Sequence, residues 1–155
     1  IEKSGISGRA NFLIDEEGVF LPGIYTTVAD FSLPIIEGIK EGIHEPGFPC
    51  QDSILSRVLE VLSFFSKKKI SEKIPIQILR IESLPETSSQ ILVFLTKKNI
   101  RVLWGNISEP AYVTLEEQEK NLPKLIHFLS DEKNLQENME IDLRFGYTIL
   151  RKKKP

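Results

Sequence analysis

Cysteine occurs once in the 155 residues, as Cys50. No disulfide can therefore close within the chain, and no CxxC metal or redox pair exists. Histidine occurs only at His44 and His127. No run of about 18 apolar residues is present, so nothing in the sequence reads as a membrane-spanning helix, and no basic-then-apolar leader precedes the first polar stretch. There is no GxSxG, no P-loop glycine motif, no GxGxxG and no HExxH. A net charge of −2 gives no electrostatic basis for binding nucleic acid. What remains is an ordinary balance, 41% hydrophobic and 27% charged residues, which suits one domain with a real core.

The first residues, "IEKSGISGRA", are polar and Gly-rich. Residues 1–11 read as an incoming linker or the end of a preceding domain, 12–151 as a single α+β domain, and 152–155 as a basic tail. The start at Ile1 rather than Met reads as that of a fragment, from which any anchor or signal of a parent protein would have been removed. In "NFLIDEEGVFLP" two apolar runs, Phe12–Ile14 and Val19–Leu21, flank Asp15-Glu16-Glu17-Gly18. That is the pattern of a β-hairpin with a four-residue loop. Residues 22–50 hold four of the nine prolines and four of the nine glycines. They read as loop, with an edge strand near Leu33–Ile36.

Residues 52–69 carry the strongest helical period: Ile54, Val58, Val61, Leu62 and Phe65 share one face. Asp52 or Ser53 is the N-cap, and Lys67–Lys69 suit the negative end of the helix dipole. Strands follow at about 74–82, 90–96 and 100–104. The middle one is almost wholly apolar and reads as central. A second helix begins at Thr114, in a Thr-x-x-Glu capping box with Glu117. Its stripe is Leu115, Gln118, Leu122, Leu125, Ile126 and Leu129, and Pro123 predicts a kink or break. From Met139 to Ile149 every second residue is apolar, which predicts one long closing strand. The order predicts a mostly antiparallel sheet with two helices packed on one face.

The chemistry-bearing residues form no familiar constellation. His127 reads as a boundary residue of its helix, because an isolated His lacks the partners a metal site needs. His44 and Glu45 are neighbours in a Gly/Pro loop. The carboxylates of Asp15, Glu16 and Glu17 sit where a hairpin turn would solvate them, which leaves no cause to split their pKa values for acid–base work. Trp104 before Gly105 reads as core. No catalytic residue, cofactor or metal is expected. A small envelope enzyme built on His44, Glu45 and the acidic turn, and an unrelated envelope adaptor of similar architecture, stand as the alternatives to a binding scaffold.

Four stretches in order, "FLIDEEGVFLP", "LPIIEG", "NIRVLWG" and "IDLRF", resemble the extracytoplasmic β domain of the cell-division family FtsQ/DivIB. The first resembles that domain's opening hairpin, the second the step that follows it. The third resembles the strand before the second helix, with Trp104 where Leu or Asn is common. The last resembles the terminal "(V/I)DLRY" strand, with Phe145 in the Tyr place. The likeness runs from about Phe12 to Arg151. The cytoplasmic tail, membrane helix and POTRA domain of the family are not in this sequence, and "RKKKP" stands where an aromatic extension is common.

The resemblance implies a non-enzymatic scaffold of the bacterial divisome, outside the cytoplasmic membrane, whose parent protein is anchored by one helix. It implies FtsB/DivIC-like and FtsL-like partners, engaged by strand addition at the C-terminal strand. Arg144, Phe145, Gly146 and Tyr147 fall on the family's contact segment, and Thr148 and Ile149 continue it. A strand at a sheet edge offers unpaired N–H and C=O groups to a partner. Arg144 is the expected specific contact, because its fork can hold a partner carboxylate through two bonds. Gly146 is the expected position of a bulge that re-aims Phe145. The trailing lysines are expected to protect the edge from self-pairing or to attract an acidic partner, and pairing of two copies at this edge in a crystal stays open.

Overall fold

The computed structural model describes residues 11–25, 33–40, 44–74, 76–108, 115–120, 122–130, 139–144 and 149–152. Its elements are β1 (Ile35–Glu37), α1 (Ser53–Lys67), α2 (Ile70–Lys73), β2 (Ile76–Ser83), β3 (Gln90–Thr96), β4 (Arg101–Asn106), α3 (Leu115–Glu119), α4 (Leu122–Ser130), β5 (Met139–Asp142) and β6 (Ile149–Lys152). The fold is α+β. All six strands join one sheet in sequence order, β1-β2-β3-β4-β5-β6.

The sheet is mixed, and this corrects the mostly antiparallel expectation. β1 pairs β2, and β4 pairs β5, in parallel; β2–β3, β3–β4 and β5–β6 are antiparallel. The cause is legible in the connections. Parallel neighbours need a crossover, usually helical, and both parallel pairs have one: α1 and α2 between β1 and β2, α3 and α4 between β4 and β5. The antiparallel neighbours are joined by short links. In one of them Asn99 takes a left-handed φ of 64° between β3 and β4, which Asn tolerates better than most residues.

Register ties the sheet together in rows. One row crosses all six strands: Ile36, Leu79, Phe94, Val102, Ile141 and Leu150. Every member is apolar. Leu79, Phe94, Val102 and Ile141 are fully buried there, against Val58, Val61 and Phe65 of α1, Ile70 of α2, and Leu122 and Leu125 of α4. The helices thus share one face of the sheet. A bulge between β3 and β4, where Leu92 stands opposite Gly105 and Val93 opposite Leu103, leaves Trp104 as the extra residue. Trp104 packs edge-on to Phe65 at 5.2 Å and tilted to Phe94 at 5.3 Å. It is a core residue, as its place at a strand end predicts. β3 is buried from Ile91 to Thr96, because Ile91, Val93 and Leu103 form a second small cluster with Leu84 on the opposite face.

The first helix ends two residues earlier than its lysine run predicts. Lys69 adopts a left-handed φ of 54° and the chain restarts as α2 at Ile70. Asp52 is the N-cap, its Oδ1 accepting from the Ile54 amide at 2.9 Å. The second helix is broken into α3 and α4, with Pro123 in the first turn of α4, where its missing N–H costs nothing. Gln118, predicted on the apolar stripe, is buried and donates to the Trp104 carbonyl at 2.5 Å. The capping residue Thr114 lies outside the described residues.

Candidate partner-binding edge

The C-terminal pattern folds as a hairpin, which corrects the expectation of one strand from Met139 to Ile149. β5 stops at Asp142, and β6 begins at Ile149 and runs back antiparallel. Asp142 ends β5 through its own side chain. Its Oδ1 accepts the Arg144 amide two residues on at 3.1 Å, an Asx turn that takes the backbone off the ladder.

The reversal changes the phase. Unbroken alternation puts Ile149 on the same face as Ile141. In the sheet Leu150 stands opposite Ile141, while Ile149 stands opposite Asp142. An odd offset across the reversal moves every later residue to the other face.

Arg144 does not stand outward in mid-strand, as alternation predicts. It lies just past β5, and its guanidinium closes on Asp142: Nε donates to Oδ1 at 2.9 Å and Nη2 to Oδ2 at 2.8 Å. The Arg144 side chain is 21% exposed and that of Asp142 0%. The hydrogen bonds to Asp142 hold the Arg144 pKa above its ordinary value, against the opposing effect of burial. Phe145, Gly146, Tyr147 and Thr148 lie outside the described residues. Ile149 opens β6.

β6 is the last strand of the sheet, and among the described residues no strand pairs with its far side. In an antiparallel ladder every second residue of an edge strand turns its N–H and C=O away from the neighbour. β6 therefore carries the polar groups that strand addition uses. The opposite edge, β1, has three residues and follows Pro34, the features that blunt an edge.

A charged layer on the face away from the helices fixes β5. Arg101 of β4 reaches across β3 to grip both carboxylate oxygens of Glu82 on β2, Nη2 to Oε2 at 2.5 Å, while its Nε donates to Glu140 Oε2 of β5 at 2.9 Å. The pair with Glu82 is the larger influence holding the Arg101 pKa above its ordinary value, burial opposing it. Arg80 of β2 similarly donates to Glu37 of β1 at 2.7 Å. Sequence reasoning missed Asp142, Arg101, Glu82 and Glu140. The available signal was Asp142 two residues before Arg144, with Gly146 following, which marks a turn as readily as a strand.

The alternative chemistry finds little assembled. Asp15 Oδ1 accepts the amides of Glu17 and Val19, both at 2.9 Å, so it closes the expected hairpin turn. His44 is exposed and stacks on Phe12 with ring centroids 4.2 Å apart, with Phe20 edge-on at 5.0 Å. His127 is exposed beside Phe128. Among the described residues no group of three or more His, Cys, Asp or Glu could hold a metal ion, and no helix is long and apolar enough to cross a membrane. No protein-family model and no curated protein matches the chain.

Proposed function

We propose that this chain is an FtsQ/DivIB-like scaffold domain that acts without catalysis, on the outer side of a bacterial cytoplasmic membrane. Its partners are FtsB/DivIC-like and FtsL-like division proteins, and the partner strand adds to β6. The four collinear motifs motivate the family, and the finer likeness to that family's β domain rests on them. The single observation that carries the binding mode is the position of β6 as the last strand of the sheet. Main-chain bonds to β6 supply affinity, and alternate side chains of the added strand supply specificity.

Residues 144–149 enter this proposal in two roles. Arg144 braces the hairpin through Asp142, and Ile149 opens the receiving strand. Phe145, Gly146, Tyr147 and Thr148 belong to the same contact segment by resemblance. The test is titration of this domain with the membrane-distal segment of the host's FtsB/DivIC homologue, followed by calorimetry. A Leu150→Pro and an Arg151→Pro variant each delete one β6 amide, and only one of the two amides faces outward. Saturable binding abolished by one of these prolines supports strand addition. Saturable binding untouched by either moves the interaction to another surface, and no binding removes the proposal.

A further inference from the structure

We infer that the end of the domain where α1 closes and β3 turns into β4 docks on an anionic lipid bilayer, through exposed lysines from two separate stretches of the sequence. The fold brings these stretches together. Lys67 ends α1, Lys68 caps it, Lys69 joins it to α2, and Lys73 ends α2. The chain then enters β2 at Ile76, which stands opposite Thr96, the last residue of β3. Lys97 and Lys98 follow directly and lead into β4. Lys67, Lys69, Lys73 and Lys97 are exposed, and among the described residues none of these four is held in an ion pair. Two acids stand in the same place: Glu119, which pairs with Lys68 at 2.7 Å, and Glu72, exposed on α2. One step inside the sheet, Arg101 engages Glu140. The balance at this end is positive.

The net charge of −2 hides this separation. Arg57, near the start of α1, donates to the Ile107 carbonyl just past β4, so α1 begins at the opposite end of the sheet. There Glu86 lies in the turn between β2 and β3, which the Leu84 amide closes on Ser89. The turn carrying Asp15, Glu16 and Glu17 ends at Gly18, which lies against Leu55 and Leu59 in the first half of α1. A helix of 15 residues is about 22 Å long, well beyond a screening length of about 8 Å at physiological salt. A charged plane at the basic end is thus screened from those acids. The helix dipole explains part of the lysine run. It does not explain Lys69, held at a left-handed φ of 54° where glycine is favoured, nor Lys97, which is on no helix. The composition selects the occupant. Aromatic platforms in a groove mark a linear polyanion, and an arginine fork marks a single phosphate. Residues 66–73 and 97–99 contain neither aromatic residue nor arginine. Lysines on flexible stems suit phosphates spread over a plane, because each adds attraction without a fixed geometry. The exposed large apolar residues Leu21, Ile24, Leu33 and Phe48 are on none of these elements, so the contact is adsorption without insertion. β6 is at the side of the sheet, and a domain standing on its basic end keeps that edge open.

The experiment is co-sedimentation of the domain with vesicles of phosphatidylcholine alone and with vesicles of phosphatidylcholine and phosphatidylglycerol in equal parts, at low and moderate salt. The unaltered domain should sediment only with the phosphatidylglycerol vesicles, and less as salt rises. Lys67→Gln, Lys73→Gln and Lys97→Gln should each weaken that association about three- to fivefold. Lys69→Gly removes a charge at a backbone position that glycine suits and should do the same while keeping the fold, checked by thermal melting. Lys40→Gln is the control: Lys40 is exposed and its amide donates to Asp52 at the start of α1, so the same loss of charge at the opposite end should leave binding unchanged. Failure of the unaltered domain to sediment with phosphatidylglycerol vesicles at low salt overturns the proposal. So does an equal effect of Lys40→Gln. Inorganic polyphosphate that binds as tightly as the vesicles and is weakened by the same lysine variants would assign this end to a linear polyanion and overturn the bilayer as its occupant. None of these outcomes depends on strand addition at β6.

Discussion

Arg144 closes on Asp142 through three hydrogen bonds, one from its backbone N–H and two from its guanidinium. A fully buried carboxylate is thereby matched by a planar donor at the point where β5 ends. Arg144→Ala should destabilise the domain by about 1–3 kcal/mol, because a buried charge loses its bidentate partner. Arg144→Lys should recover only part of this, since an ammonium cannot reproduce the fork. Urea denaturation measures both, and an unchanged midpoint for Arg144→Ala would show that the pair does not brace the hairpin.

Arg101 spans more of the sheet than any other charged contact described, linking Glu82 on β2 with Glu140 on β5. Arg101→Ala removes the guanidinium that two largely buried carboxylates share. A loss of roughly 2–4 kcal/mol is expected, with a coupling between Arg101 and Glu82 of roughly 0.5–3 kcal/mol in a double-mutant cycle. Additive single effects would mean that the layer is a set of independent surface contacts.

Gly38 ends β1 at φ +86°, and a Cβ placed there would lie 2.5 Å from the Ile81 carbonyl oxygen. Both the dihedral and the approach require glycine. Gly38→Ala should cost more than about 1 kcal/mol and should lower hydrogen-exchange protection at β1 first. A neutral Gly38→Ala would show that β1 can shift off β2 without penalty.

Asp52 serves two segments at once: Oδ1 caps α1 at the Ile54 amide, and Oδ2 accepts the Lys40 amide at 2.8 Å. Asp52→Ala should therefore exceed the typical cap loss of about 1 kcal/mol. Asp52→Asn, which keeps one acceptor oxygen for the cap, should fall between the two in thermal or urea unfolding.

Elements with an internal period were legible in the sequence, and relations between elements were less so. Val58, Val61 and Phe65 announce α1 because a helix stripe is local, and Pro123 announces the break before α4. The parallel pairings were missed because apolar strands look alike whichever way their neighbour runs; only the helices between β1 and β2 and between β4 and β5 carried the information. The C-terminal hairpin was missed for a sharper reason. The apolar alternation runs unbroken in the sequence from Met139 to Ile149, so the reversal between Asp142 and Ile149 is invisible to periodicity. The Asp142–Arg144 turn, which takes the chain off the β5 ladder, depends on a contact two residues apart. The acidic Asp15 turn, by contrast, was read correctly because its capping bonds are local.

Backbone amide exchange at Ile149–Lys152, followed in the free domain and with the FtsB/DivIC-like segment bound, tests strand addition most directly. The β6 amides that face away from β5 should exchange freely in the isolated domain and become protected on binding, alternating with amides protected in both states. Protection of all β6 amides in the free domain, or binding that leaves their exchange unchanged, would contradict an open receiving edge at β6.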